Sequence, residues 1–536
     1  METARKIVSA VVVLFVLDAA LAVEIAWKGG GDTFAWSDGT NWEGGAAPAP
    51  GDTAVIPDGK SAYLSSADLS WIAGRLSLIS LPGCDSALWI TNGAASTMSV
   101  PVAGSGKFNV ANNATELTLA ANNTDFTGPF YFTNSVIVAL RDYADAFGKY
   151  NVVTNFVGPS GTAKISVNAP KEYGNTWYMF GRDSYLSSST SAMYTYSSSI
   201  VFRGPVYVQG SFSVVPQSNT KPTFAGGLYH SGPDKVHLWN AVTVSGDAPC
   251  DFTTTGNYDA GLLLRGAGFE LGAPVAGTTP RIAFQDNGTV KFLAANLLSP
   301  ATSLQNGQNG NKNGMKIDLN GFDQQCGTIY KYNNTGSTED NTYITSPIGS
   351  PAKLTVCGQL EWYGNQPAGD SRYMAMSLRG AASLELNGTN VIKTSQGAVV
   401  WPMMEIRSCP TKSDTTGGLC VRRGTLTIAE DTYWPNLSRL ETYDEGLLVM
   451  NTDGVNTNNF ELVVSNAVAG AVTIATGKTL HAKTAYVGKW LDPGDYGGPG
   501  TGRDARHTLS LLGGEGTLRV AEWGGPRKPG LVIFVR

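Results

Sequence analysis

The sequence predicts an all-β chain folded as a right-handed parallel β-helix, and three observations carry that prediction. Charged residues make up only 15% of the 536 residues and glycine supplies 64, a composition weighted toward strands and turns. Sustained 3.6-residue periodicity is missing, and short alternating runs take its place. Those runs continue along the chain with no clear Pro- or Ser-rich linker, which favours coils stacked on one another over a string of ~100-residue sandwiches.

The N-terminus comes first. Arg5 and Lys6 precede an apolar run from Ile7 to Leu17, and Ala20-Leu21-Ala22 has the small-x-small form of a cleavage site. Residues 1–22 therefore read as a secretory signal peptide. The rival, an uncleaved anchor, is disfavoured by Asp18 and by a run well short of the ~20 apolar residues that span a bilayer. No later run is long and apolar enough to be a transmembrane helix. The mature chain is expected to be exported, to the cell surface, the extracellular space or the periplasm.

Residues 23–60 read as an N-terminal cap. Trp36 and Trp42 stand six residues apart, followed by a Gly/Pro-rich stretch from Gly44 to Pro50 and an apolar run, Thr53 to Ile56. A stacked β-helix exposes unpaired backbone and apolar core at its end. Two large aromatics are suited to cover it.

Residues 61–440 supply the coils. Lys107–Val110, Glu116–Leu119, Lys164–Val167, Lys316–Leu319, Lys353–Val356, Ser383–Leu386, Thr425–Ile428 and Thr517–Val520 each alternate polar and apolar residues. Each run puts its two apolar side chains on one face. Asn112-Asn113, Asn122-Asn123 and Asn333-Asn334 suit corners, where Asn tolerates left-handed backbone and stacks in ladders. Segments 183–198 and 305–314 read as loops. Residues 441–536 form a C-terminal β region, expected to leave room for an antiparallel portion.

Six cysteines, Cys84, Cys250, Cys326, Cys357, Cys409 and Cys420, follow the signal peptide. An even number in an exported chain permits disulfides. The local candidates are Cys409 with Cys420 and Cys326 with Cys357; the plainer reading is buried free thiols.

Leu117 to Gly148 carries a pattern in Leu117, Thr118, Leu119, Asn123, Phe126, Gly128, Phe130, Phe132, Val136, Val138, Ala146 and Gly148. It resembles the autotransporter-associated β-strand repeat of bacterial surface proteins. Leu117, Leu119, Phe130 and Phe132 are then expected to face the core, with Gly128 at a tight turn. Ile317 to Ile329, with Asn320-Gly321 at its corner, and the segments at Thr479-Leu480, Tyr486–Gly488 and Gly514–Leu518 resemble parts of the same passenger domains. The C-terminus departs from that family. No run of amphipathic barrel strands precedes Gly530 to Arg536, so the resemblance implies a passenger-type β-helix without the C-terminal barrel. Leu531 to Val535 is expected to be a last core strand, with an export or anchoring signal as the alternative.

Catalytic signatures are sparse. Acidic residues are scattered, and Gly-x-Ser-x-Gly elbows, Cys-x-x-Cys pairs and phosphate loops are missing. Asp492 and Asp495 are expected to shape a turn rather than hold calcium. His230 and His237 lack a third ligand nearby. The net charge of −5 and the lack of a Lys/Arg cluster speak against nucleic acid. No catalytic residue, metal or cofactor is expected.

Binding remains, and aromatic rings stack on sugars. Trp177, Tyr178, Tyr194, Trp239, Trp362 and Tyr363, with Tyr185 and Tyr196 beside them, are the candidate glycan contacts; core packing is the competing role for each. The expectation is a non-enzymatic surface or extracellular protein of adhesin type whose scaffold displays loops to a glycan or another cell-surface component. The alternatives are a polysaccharide-degrading β-helix enzyme, which needs carboxylates with a Lys or Arg in one groove, and a carbohydrate-binding module.

Overall fold

A computed structural model describes residues 22–526, apart from single positions and short internal segments, the longer ones being 181–190, 254–261, 307–313, 333–342, 365–372, 408–416 and 429–436. The signal peptide, Leu531 to Val535 and the pairs Asn112-Asn113 and Asn333-Asn334 lie outside the described residues, as does Cys409.

The chain is all-β and its sheets are overwhelmingly parallel. A four-stranded sheet runs Glu24–Ala26, Thr53–Val55, Leu78–Leu81, Val102–Gly104. A nine-stranded sheet starts at Ser61–Leu64 and ends at Asp251–Thr253. A 14-stranded sheet runs from Ser96–Met98 to Gly397–Val399, and a second nine-stranded one from Lys171–Tyr173 to Ser377–Gly380. In each, strand order follows chain order. From Val152–Phe156 the chain visits three sheets in rotation: Thr162–Val167, then Lys171–Tyr173, then Thr176–Phe180 beside its own starting strand. A seven-stranded sheet from Gln324–Cys326 to Thr484–Val487 and a six-stranded one from Tyr373–Ala375 to Leu512–Gly513 continue the pattern.

The sequence explains the faces. All eight alternating runs fall on strands, seven of them whole, while Met315–Asp318 stops one residue before Leu319. Leu117 and Leu119 are buried, and parallel register sets them beside Val138 and Leu140 on the next strand, with Leu119 beside Met98 on the preceding one. Burying each such leucine contributes roughly 1.5–3 kcal/mol. Phe130 is also in the core, packed 4.5 Å from Phe108 and 5.2 Å from Phe147, centroid to centroid. The Phe132 side chain lies outside the described residues.

Successive rounds touch backbone to backbone at glycines. A Cβ on Gly128 would stand 1.8 Å from the Gly106 carbonyl oxygen, so this glycine serves close approach rather than the tight turn expected of it. Buried asparagines bridge the same rounds. Asn123 accepts from Val102 N at 2.8 Å and donates to the Ala146 carbonyl, and Asn175 donates to Gly148 O and Asn151 Oδ1. Asn320 and Gly321 turn the expected corner, with φ of 52° and 86°.

The two candidate cysteine pairings are corrected. Cys326 and Cys357 are free thiols, joined only through a backbone bond from Cys357 N to Cys326 O. Cys420 is likewise free and buried, so cysteine here packs as a small apolar side chain. The C-terminal region is mainly parallel and holds the antiparallel portion for which the sequence left room. Its antiparallel strand pairing among the described residues is Gly494–Tyr496 against Thr517–Val520.

Both ends carry tryptophan. At the N-terminal end Trp27, Trp36 and Trp42 form one buried triad, with ring centroids 4.9–5.5 Å apart. The apolar run at Thr53 forms the second strand, since Glu24–Ala26 already pairs with it in parallel. At the other end Trp490 packs edge-on against Tyr486 of the last strand of the seven-stranded sheet, 5.5 Å away, and Gly524 closes over its ring. No helix among the described residues is long and apolar enough to cross a membrane.

Candidate functional site

The strongest candidate is a cavity of about 760 Å³ beside the tryptophan triad, lined by Phe34, Ala35, Ser37, Tyr63, Ser65, Ala67, Asp68, Trp71 and Thr91. Local sequence sets each wall. In Ser61–Leu64 alternation turns Ala62 and Leu64 into the core, leaving Tyr63 37% exposed. Ser66–Ile72 is the one α-helix among the described residues, with Ser65 and Asp68 forming a capping box at its start. Its Leu69 and Ile72 are buried, and Trp71, between them in sequence, lies partly exposed with the Arg75 guanidinium 4.7 Å from its ring. Phe34, on the loop leading to Trp36, is 62% exposed and meets Tyr63 edge-on at 5.7 Å.

Asp68 is the cavity's carboxylate, and it is occupied. Oδ1 accepts from Trp36 N at 2.9 Å, and Oδ2 accepts from Ser65 N at 2.9 Å and Ser65 Oγ at 2.6 Å. A carboxylate so engaged positions the wall. The site offers ring surface and hydroxyls, which is the chemistry of binding.

Tyr63 also begins an outward column. Parallel register places Tyr63, Trp89, Asn109, Tyr131, Thr154, Tyr178, Tyr207 and Tyr229 at matching positions on successive strands of one sheet, with Asn109 and Thr154 buried among the larger side chains. Tyr178 and Tyr207 are each 38% exposed, and Tyr178, Tyr207 and Tyr229 stack at 5.1 and 5.0 Å. At that spacing nearly parallel rings cover one another's faces and present their edges outward.

The candidate aromatics named from sequence do not form one patch. Trp177 is a correction: it is buried, packed edge-on against Phe147 and Phe202 at 5.0 and 5.3 Å, and has no surface for a ligand. Tyr178, its neighbour in Thr176–Phe180, points the other way and is exposed. Tyr194, Trp239, Trp362 and Tyr363 sit on strands of the 14-stranded sheet, away from Tyr178's sheet, and their side chains lie outside the described residues. Trp36 and Trp42 are buried in the triad and line no part of this cavity. Phe34, Tyr63, Trp71 and Trp89 were missed. The period-2 alternation of Ser61–Leu64 was the readable signal for Tyr63.

A second cavity, of about 570 Å³, lies near the C-terminal end between Gly494, Asp495, Arg503, Asp504, His507, Arg519 and Val520. Asp504 Oδ1 meets His507 Nδ1 at 2.7 Å, and that hydrogen bond, joined by backbone N–H groups, holds the Asp504 carboxyl below the usual carboxylate range. Asp495 receives two bonds from Arg519 at 2.7 and 2.9 Å and is lowered mainly by them. Arg503 reaches Thr517 Oγ1 at 2.8 Å.

Further charges form a ladder on the seven-stranded sheet. Glu385 pairs with Lys353 at 2.8 Å and Arg422 at 2.9 Å, and Arg439 with Glu441 at 2.8 Å. Among the described residues, Asp58, Cys84 and Asp85 group closely enough to share a cation, but all three are exposed and Asp85 already pairs with Lys107. Compared with protein-family models, curated proteins and solved structures, the chain gives no match.

Proposed function

We propose that this chain is an exported, non-enzymatic scaffold of passenger type, a right-handed parallel β-helix that binds a partner on its outer surface. The observation that carries the reading is the rotation of the chain through parallel sheets whose strand order follows chain order. Such a stack makes an elongated body whose outer faces and loops are its usable area. The N-terminal cavity supports binding, since its one carboxylate is held by three donors. Residues 1–22 supply the route out of the cell in this reading.

The C-terminal cavity favours the rival, a polysaccharide-degrading enzyme, because it brings two carboxylates, two arginines and a histidine together. Glycoside hydrolysis needs one carboxyl kept protonated as the acid. Both carboxyls here are held on the ionised side by their partners, which weighs against a hydrolase but not against a lyase, the other form of this rival. The test is a depolymerisation screen of residues 23–536 against neutral and acidic polysaccharides. The scaffold reading expects no products; turnover that disappears in His507→Ala would replace it with the enzyme.

A further inference from the structure

From the N-terminal cavity and the column that leaves it, we infer that the chain holds an uncharged, linear saccharide, with one segment seated between Phe34, Tyr63 and Trp71. The inference rests on the scaffold reading above and names its ligand class.

Three features point to that class. First, the cavity has open aromatic surface, above all Phe34 at 62% exposure, together with the hydroxyl-bearing Ser37 and Thr91. Sugar rings have apolar C–H faces that lie on aromatic rings and hydroxyls at their edges, so they match a wall of this mixed kind. Second, the charge is accounted for. Asp68 is spent on Trp36 and Ser65, and Arg75, the nearby cation over Trp71, stands outside the cavity lining. An acidic ligand would find no cation in the lining and would be desolvated without compensation. A lipid-like ligand would leave the serine and threonine hydroxyls unmatched.

Third, the cavity is continuous with a track. Tyr63 lines the cavity and is also the first position of the outward column, stacked on Trp89 at 6.3 Å. The column crosses eight strands of the nine-stranded sheet, from Ser61–Leu64 to Leu228–Ser231, before the last strand Asp251–Thr253. At ~4.8 Å per strand it extends roughly 34 Å. These eight positions are aromatic, Asn or Thr, with no ionisable group other than the tyrosine phenols, and the register then carries the row to Asp251 on the sheet's last strand. Rings shield one another's faces at Tyr63–Trp89 and from Tyr178 to Tyr229, while Asn109 and Thr154 between them are buried, so on either side of those two positions a chain laid along the column meets ring edges and phenol oxygens. Those hydrogen-bond with sugar hydroxyls but grip more weakly than an open face. The cavity is therefore the anchor and the column the extension.

The experiment is titration calorimetry and affinity electrophoresis on residues 23–536 with neutral linear oligosaccharides of two to eight units, neutral soluble polysaccharides and a polyuronate for comparison. Neutral glycans should bind and the polyuronate should not. Phe34→Ala, at an exposed ring, and Trp71→Ala should each weaken binding of all lengths about tenfold or more, with thermal unfolding followed in parallel to confirm the fold. The double variant Tyr178→Ala/Tyr207→Ala should leave the disaccharide unaffected and weaken the octasaccharide several-fold. Failure of every neutral glycan to bind, or binding indifferent to Phe34 and Trp71, overturns the inference while leaving the scaffold reading standing. Release of shortened products overturns the scaffold reading itself.

Discussion

The indole N–H of Trp36 donates to the backbone carbonyl of Tyr63 at 2.8 Å. Ser61–Leu64 is the outermost strand of its sheet. Its even-numbered neighbours Lys60 and Leu64 send their carbonyls to the next strand, to Ala87 N and Thr91 N. The odd carbonyls of Ser61 and Tyr63 therefore face the open edge. Trp27 Nε1 caps Ser61 O at 3.0 Å and Trp36 Nε1 caps Tyr63 O. The triad thus supplies both apolar cover and hydrogen-bond donors to an edge that would otherwise invite another strand.

Replacing that donor separates its two contributions. Trp36→Phe keeps most of the ring but orphans the Tyr63 carbonyl, and should cost ~1–3 kcal/mol in urea unfolding. Trp36→Ala should cost ~3–5 kcal/mol and add concentration-dependent association in light scattering. Equal stability of Trp36→Phe and wild type would show that the indole bond contributes nothing.

Glycines divide into two kinds. Gly128→Ala drives a methyl into the Gly106 carbonyl and should destabilise by ~1–3 kcal/mol or more, because a whole round must shift. Gly500 has open space around its missing Cβ but a φ of 99°. Gly500→Ala should cost only the ~1 kcal/mol of a left-handed backbone. Denaturant midpoints of the two variants, measured side by side, check the order.

Glu385 makes stability depend on acid. Burial opposes its ionisation, yet Lys353 and Arg422 together hold its carboxyl below the ordinary 4.5. A depressed folded value means that the contribution is present above about 4.5 and is lost as pH falls through the folded value. Glu385→Gln should be less stable than wild type by ~1–3 kcal/mol at pH 7, and the gap should narrow below pH ~4. A gap independent of pH would assign the effect to packing alone.

Thiol labelling should discriminate the cysteines sharply. Cys84 is exposed, Cys326 is buried with its thiol pushed up by desolvation, and burial with the nearby Glu385 and Glu441 pushes Cys420 up to about 12. Thiolate is the reactive form. In native protein, mapped by mass spectrometry, Cys84 should alkylate fast while Cys326 and Cys420 wait for denaturant. A Cys326–Cys357 crosslink in unreduced protein would contradict the free thiols seen here.

Strands were legible because alternation is a local property. Glu116–Leu119 reads polar, apolar, polar, apolar, and the two leucines go inside. The same rule separates Trp177 from Tyr178, since Thr176–Phe180 buries its second and fourth residues. By that parity the two rings face opposite sides of the sheet, and of the two only Tyr178 reaches the surface. The cysteine pairings failed for a different reason: even number and spacing say nothing of where the side chains point. The cavity of Phe34, Tyr63 and Trp71 joins a loop, a strand and a helix, and no single window of sequence contains it. Nor could the column from Tyr63 to Tyr229 be read, because its members are matched by register between strands some 20 to 30 residues apart.

Strand order that follows chain order also turns length into a tunable quantity. In the β-helix proposed above, one added round would insert a strand into each sheet it visits and move the two tryptophan-covered ends ~4.8 Å further apart, leaving both untouched. The chain is in that sense a ruler with identical graduations, and lineages could lengthen or shorten it by duplicating or dropping a round without redesigning either end.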